Sequence, residues 1–361
     1  MARVSIVLAA VELSLADFAC MLQTRPLDFT NAADVGMLKS DQINGSSLAQ
    51  CGKLWTGASV SGQDGGHKCH TSLMEDRALG GGKAPSMCLR EYADAVSDAV
   101  RSAGSWPDCP SLSELWTTLP NNAARVGSPS CNICPGSSRP PSSSKLFVEV
   151  GANIGACTAQ MLARPDVDMV VAWEPNPANL FYLTTTVLNN GYNSKIALFT
   201  SGLGDAPGTH AIYAEAGNAG NTVVDSPIHA SRKPVGQIEI MTLDEAFMAG
   251  GEPPYIHLMK IDAQGFETKI LRGGQKLLKS GAVNAVKFEL AEDWLVGHGS
   301  SGAELFSVFG SNSFDIHAGG DQPALTREEL RQIACPGQGL IRDFLAIYNP
   351  TKDTASSQIA C

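Results

Sequence analysis

Residues 146–158, LFVEVGANIGACT, decide the fold of this chain. Leu146, Phe147, Val148 and Val150 make a short apolar run rich in β-branched and aromatic side chains, which reads as the buried first strand of a parallel sheet. The run passes directly into Gly151-Ala152-Asn153-Ile154-Gly155, and the residues that follow suit a helix. Strand, glycine turn and helix together bring backbone N–H groups toward a polar or anionic cofactor at the carboxyl edge of a sheet. About twenty residues on, a second apolar run ends in Glu174, within VVAWEPNP. A carboxylate at the tip of a second strand is placed to accept hydrogen bonds from ribose hydroxyls.

Working outward, the pattern stays alternating. Strands are expected at 146–150, 168–173, 195–200, 256–261 and 283–290, with a final pair near 313–317 and 342–348. Helices are expected at about 155–164 and 177–190, with another ending near Gly281; Thr242-Leu-Asp-Glu245 is a capping box opening a short one. This alternation predicts a doubly wound α/β sheet with helices on both faces. Between 204 and 240 the pattern is irregular, with only Ala211–Tyr213 and Gln237–Met241 β-like. The stretch 209–236, with His210, Asn218, Gly220, Asn221 and His229, reads either as an ordinary long surface loop or as a lid that clamps an acceptor.

The part before residue 145 is different in kind. Residues 127–144, GSPSCNICPGSSRPPSSS, have no apolar face and read as a linker. Upstream, residues 21–126 read as a loop-rich, cysteine-containing accessory region. Leu89, Tyr92, Val96 and Val100 predict a helix over 87–103, and Ser111-Leu-Ser-Glu114 predicts a capped helix through Leu119. Residues 1–20 fit either a leader, with an apolar core from Val4 to Val11, or a buried N-terminal helix; that run is too short to span a bilayer. The chain thus divides into 1–20, 21–126, 127–144, an α/β domain at 145–350 and a tail at 351–361.

Composition narrows the partners. Of 361 residues 43% are hydrophobic, enough for a sizeable core, and the formal net charge is −10. Residues 1–145 hold 12 Lys/Arg against 13 Asp/Glu, so nearly all the excess negative charge lies in the second part. With no basic stripe, a nucleic acid partner is disfavoured. Seven of the ten cysteines lie at or before Cys134. Setting Cys20 aside leaves Cys51, Cys69, Cys88, Cys109, Cys131 and Cys134, which admit many pairings and fit an oxidising compartment. The Asn44-Gly45-Ser46 sequon agrees with that compartment. A zinc site using His67, Cys69, His70 and the Cys131/Cys134 pair competes, but its second half is poorly formed. A secretory or organelle lumen is therefore favoured over the cytoplasm.

EVGANIG, WEPNP, TLDEAF and LMKIDAQGFETKILRGG, in that order and spacing, resemble the FkbM-type methyltransferases, a branch of the class I S-adenosylmethionine-dependent enzymes. The resemblance covers about residues 145–290. It implies a Rossmann-like class I methyltransferase sheet, S-adenosyl-L-methionine as cofactor, and a small-molecule or glycan hydroxyl as acceptor. Against the chemistry of that cofactor, Gly151 and Gly155 let the backbone approach its methionine end, while Asn153 and Thr158 can bind the carboxylate or ammonium there. Glu149 would face the ammonium or sulfonium, and Glu174 the ribose. The resemblance further implies that Asn176 shapes the adenosine pocket and that Ser201 to Asp205 meets the adenine. At the acceptor side, Asp262, Glu267 and Glu289 are the candidate catalytic carboxylates. Gln264 stands where many relatives carry Glu. Each residue also has a plainer reading: the glycines as a bare turn, Glu174 as a strand-end carboxylate, Glu267 as an acid at a helix start. Two other functions compete, a non-catalytic binding module on the same fold and a nucleotide-cofactor oxidoreductase, although GANIG lacks the GxGxxG spacing of the latter.

Overall fold

In the computed structural model the described residues are 55, 69–74, 79–123, 145–215, 218–228, 230–249, 251–335, 341–355 and 357–361, with the side chains of 218–221 left out. The 1–20 segment, the 127–144 linker, the sequon, His67 and His229 lie outside them, as do Cys20, Cys51, Cys131 and Cys134.

The elements run β1 (His70–Leu73), β2 (Ser86–Leu89), α1 (Ala95–Ala103), α2 (Asp108–Thr118), β3 (Leu146–Val150), α3 (Ala156–Ala163), β4 (Met169–Trp173), α4 (Pro177–Asn189), β5 (Ile196–Phe199), β6 (Gly202–Leu203), β7 (Gly208–Glu215), β8 (Asn218–Val224), β9 (Lys233–Met241), α5 (Leu243–Met248), β10 (Ile256–Ile261), α6 (Glu267–Arg272), α7 (Gln275–Lys279), β11 (Ala285–Ala291), α8 (Glu292–Gly297), α9 (Gly302–Ser311), β12 (Phe314–His317), α10 (Arg327–Ala334) and β13 (Ile341–Tyr348). Seven strands form the main sheet in the order β12-β13-β11-β10-β3-β4-β5. Neighbours are parallel except around β13, which runs antiparallel to both β11 and β12. From β3 the chain winds outward to β4 and β5, then returns to β10 on the other side. The carboxyl ends of β3 and β10 are therefore the switch point where a doubly wound sheet opens a crevice.

Alternation on the strands splits the core in two. Leu146, Val148 and Val150 face a cluster with Met259, Ile261, Ile270, Leu277, Phe288 and Phe306. Phe147, Ala172 and Leu258 face the opposite cluster, filled by Leu112 and Trp116 of α2, Leu162 of α3 and Leu183 of α4. Helices α2, α3 and α4 thus cover one face, and α6, α7 and α9 the other.

Three expectations change here. The helix expected over 87–103 starts only at α1, because Asp94 caps it through Ser97 N and residues 86–89 pair with β1 instead. Ser111 is inside α2, not its cap: its hydroxyl donates to the Asp108 carbonyl. The irregular segment after 204 is neither loop nor open lid but a second sheet, β6-β9-β7-β8. The cysteines also pair unlike a self-contained N-terminal set. Cys69 joins Cys88, but Cys109 of α2 joins Cys157 of α3, and Cys335 joins Cys361.

Candidate active site

A cavity of about 260 Å³ opens at the carboxyl ends of β3, β4 and β10. The glycine turn forms its floor. Gly151 has φ +84°, and a Cβ there would stand 1.9 Å from the carbonyl oxygen of Asp262, so only glycine lets β3 and β10 end side by side. The five backbone N–H groups from Gly151 to Gly155 are all satisfied within the protein. Gly151 and Ala152 donate to the Trp173 carbonyl (3.0 and 2.9 Å), Asn153 to Glu174 Oε2 (2.8 Å), Ile154 to Asn153 Oδ1 (2.8 Å) and Gly155 to the Ala152 carbonyl (2.9 Å). The turn itself therefore offers no cradle of free amides to a pyrophosphate, contrary to the expectation from strand–turn–helix alone.

Glu174 ends β4 with each carboxylate oxygen held: Oε2 by Asn153 N and Oε1 by Asn176 N, 2.8 Å each. Burial pushes it up to about 7, against the pull of the Asn176 and Asn153 amides and of Asn179. Across the cavity, Glu149 lies under the turn, buried, and accepts from Thr158 Oγ1 at 2.5 Å. Lys260, its registered neighbour on β10, places Nζ 3.7 Å from Glu149 Oε1 and donates to Asp262 Oδ2 at 3.0 Å. Gln264 Nε2 donates to the other oxygen of Asp262 at 2.8 Å. Burial opposes the charge on Asp262, but Lys260 and Gln264 outweigh it and hold the carboxyl below its ordinary range. Asn153 and Gln264 both line the cavity in the left-handed region, at φ 54° each, where non-glycine residues are uncommon and tend to mark functional turns.

Among the described residues the ionisable groups on the wall are thus Glu149, which burial also raises, Glu174 and Asp262, against one ammonium, Lys260. Such a wall suits a cofactor carrying an ammonium and a sulfonium and repels a pyrophosphate. Residues 149–316 match the family model of the Methyltransferase FkbM domain. This segment is an FkbM-type methyltransferase domain. Its cofactor is S-adenosyl-L-methionine, and its chemistry is methyl transfer. Among solved structures the chain is similar to the precorrin-6y C5,15-methyltransferase of Geobacter metallireducens, at 10% identity over 56% of this chain and 81% of that one, TM-score 0.28. It is also similar to Sp1610 of Streptococcus pneumoniae in complex with S-adenosyl-L-methionine, at 11% identity over 59% of this chain and 70% of that one, TM-score 0.32. A comparison with curated proteins finds no match.

Within the FkbM domain, Glu149, Gly151, Asn153, Glu174 and Asp262 of the candidate residues line the cavity. The other candidates are placed elsewhere. Gly155 (φ +88°) is needed because a Cβ there would meet Leu183 Cδ1 at 2.3 Å, so it serves the packing of α3 on α4. Thr158 acts on Glu149 from behind. Asn176 caps α4, accepting from Ala178 N at 3.0 Å, and its Nδ2 donates to Thr222 Oγ1 at 2.9 Å, tying the second sheet to the site. Ser201 is fully buried, with only the following Gly202 and Leu203 on the wall. Asp205 is exposed in an outer groove with Asp244 and Arg272. Glu267 does not reach the cavity: its Oε1 accepts from Ala263 N (2.8 Å) and Gly265 N (3.3 Å) and braces the turn that carries Asp262. Burial raises Glu267 to about 7. Glu289 on β11 is off the cavity, registered with Asp343 on β13; burial and then Asp262, Glu267 and Asp343 push it up to about 8. Among the histidines, His210 pairs with Asp225 (2.8 Å), and His257 is locked between Tyr255 and the Trp116 carbonyl (3.2 and 3.0 Å).

Several wall residues escaped the sequence reading. Ala95, Val96 and Trp106 come from the accessory segment, outside the matched domain, and Ile212, Thr222 and Val224 from the second sheet. Asn179 on the wall accepts from Arg90 Nη2, and this buried guanidinium also binds Asp94 (2.7 Å) and lies 5.1 Å from the Tyr182 ring centre. Only Lys260 had a visible signal, a lysine inside the apolar strand IHLMKI.

Proposed function

We propose that the enzyme methylates a hydroxyl oxygen of a small molecule or glycan. The observation that carries the reading is Asp262: an ionised carboxylate at the switch point, both oxygens oriented, its side chain 26% exposed to the cavity mouth. Glu149, Asn153 and Glu174 would hold S-adenosylmethionine, with the methionine end over the glycine turn and the ribose at Glu174. That cofactor supplies an electrophilic methyl group on a sulfonium. Asp262 accepts the hydrogen bond of the acceptor hydroxyl and so aims its oxygen, and positioning of this kind supplies much of the rate. Held below the ordinary range, Asp262 is a weak base. A weak base suffices, because the oxygen turns strongly acidic as its bond to the methyl carbon forms; Asp262 takes the hydroxyl proton and releases it to solvent at the cavity mouth.

The test is transfer of a labelled methyl group to a panel of alcohols and glycans by the full chain, with amine and thiol acceptors as controls. Label on oxygen supports the proposal, and label only on nitrogen or sulfur removes it.

A further inference from the structure

Among the described residues Lys260 is the one cation on the cavity wall, and no motif assigns it a task. It sits at the centre of a charged row on the sheet face beneath α2 and α3. Glu149 on β3 and Lys287 on β11 are its registered neighbours. Asp262 follows it on the chain, and Asp108 at the start of α2 lies 3.4 Å from Lys287. The Lys260 side chain is 6% exposed, and its ammonium stands between two carboxylates at 3.0 and 3.7 Å. These carboxylates belong to different halves of the site, Glu149 under the cofactor's amino-acid end and Asp262 at the acceptor.

We propose that Lys260 is a positioning residue whose ammonium bridges Glu149 and Asp262, fixing one anion for the cofactor and one for the acceptor. This rests on the cofactor reading above. The groups that face Glu149 are Lys260 from β10, Thr158 from α3, Asp262 from the β10 turn and Asp108 from α2. Lys260 is the only cation among them. Burial already raises Glu149 with Lys260 in place; removing the ammonium leaves it beside two other acids, where like charge adds to burial and raises it further. A protonated Glu149 attracts the cofactor's ammonium far less than a carboxylate does.

The experiment is calorimetric binding of S-adenosylhomocysteine, which keeps the ammonium and carboxylate, to the full chain between pH 6.5 and 8.5. The quantity read is the affinity of wild type over variant at each pH. For Lys260→Met the ratio should be about tenfold or more at pH 6.5 and fall as the pH rises, tenfold being the effect of one unit of pKa displacement. Lys260→Arg, which keeps the charge, should stay within about threefold throughout. A Lys260→Met ratio that is constant with pH, whether large or near one, overturns the inference and leaves the cofactor reading intact. Absence of binding by the wild type overturns both. If Lys260→Met does not fold, Glu149→Gln and Glu149→Gln/Lys260→Met decide the matter: the double variant should bind within about twofold of the single one. A further large loss shows that Lys260 does not act through Glu149.

Discussion

Asp262 and Gly151 illustrate how single residues hold this site. Asp262→Asn keeps the volume and the Gln264 contact but removes the charge that Lys260 pairs with and that the proposed acceptor hydroxyl would meet. Cofactor binding should persist within a few-fold while methyl transfer falls by about 100-fold or more, the usual scale for removing a positioned polar catalytic group. Equal losses in S-adenosylhomocysteine binding and turnover would show instead that Asp262 serves the cofactor. Glu174→Ala should weaken S-adenosylhomocysteine by about 10- to 100-fold, the worth of one or two hydrogen bonds to a charged group; unchanged affinity by calorimetry would remove Glu174 from the ribose. Gly151→Ala faces a carbonyl oxygen at 1.9 Å and a positive φ together, and should cost roughly 2 kcal/mol or more in denaturant unfolding. The residues legible in the sequence were those in the strand tips, Glu149, Gly151, Glu174 and Asp262, because a parallel strand of known direction fixes where its last side chains emerge. Thr158 and Glu267 were misplaced for one reason. Each sits at the start of a helix, where a rotation of 100° per residue decides between the cavity and the turn behind it, and spacing alone does not resolve that.

At the level of elements, the accessory helices do more than cover a sheet face. Trp116 of α2 is fully buried against Phe147 of β3, at 6.5 Å between ring centres, and against His257 of β10, at 4.7 Å. The Cys109–Cys157 disulfide then joins the start of α2 to the start of α3, and Cys157 itself lies on the cavity wall, as does Trp106. Closing a loop across a sequence separation of 48 is worth about 4 kcal/mol in the chain-entropy model. Cys109→Ser/Cys157→Ser should therefore lower the denaturation midpoint and, by loosening α2 from the wall, weaken S-adenosylhomocysteine several-fold. Stability lost with affinity unchanged would confine the disulfide to a structural role. This arrangement was not visible beforehand, since the pairing crosses from the accessory region into the domain and no local spacing announces it. The second sheet was missed for a related reason. Val223 and Ile238 are buried while Thr209, Lys233 and Glu239 are not, but Gly208, Asn218, Gly220 and Gly236 interrupt the alternation that would have marked strands. Where a continuous apolar run marked a strand buried on both faces, as in β3 and β4, the strand was readable.

For the molecule as a whole, the cluster of acids at one end of the sheet makes folding itself depend on pH. Burial raises Glu174 and Glu267 to about 7 and, with neighbouring carboxylates, Glu289 to about 8, whereas an unfolded glutamate titrates near 4.5. The folded state keeps these protons after the unfolded chain has released them. Their contribution is complete below about 4.5 and is lost as pH rises to about 8, each on the order of 1 kcal/mol per pH unit within its window. Burial of His257 and His298 acts in the opposite direction: both are lowered to about 4, so the stability they contribute is present above about 6.5 and lost as pH falls. The two effects compete between 4.5 and 6.5. From 6.5 to 8 only the carboxylates of this set titrate, and stability must fall there. Urea unfolding of the cofactor-free chain at pH 6.5, 7.2 and 8 should show that decline. Glu267→Gln removes one raised carboxylate while its amide oxygen can still accept from Ala263 and Gly265, and the unpartnered Oε2 gives way to an amide nitrogen. The variant should match the wild type near pH 5 and lose less by pH 8. If its stability falls as steeply as the wild type's, Glu267 is ionised throughout, and the buried turn that carries Asp262 is held by a charge and not by a proton.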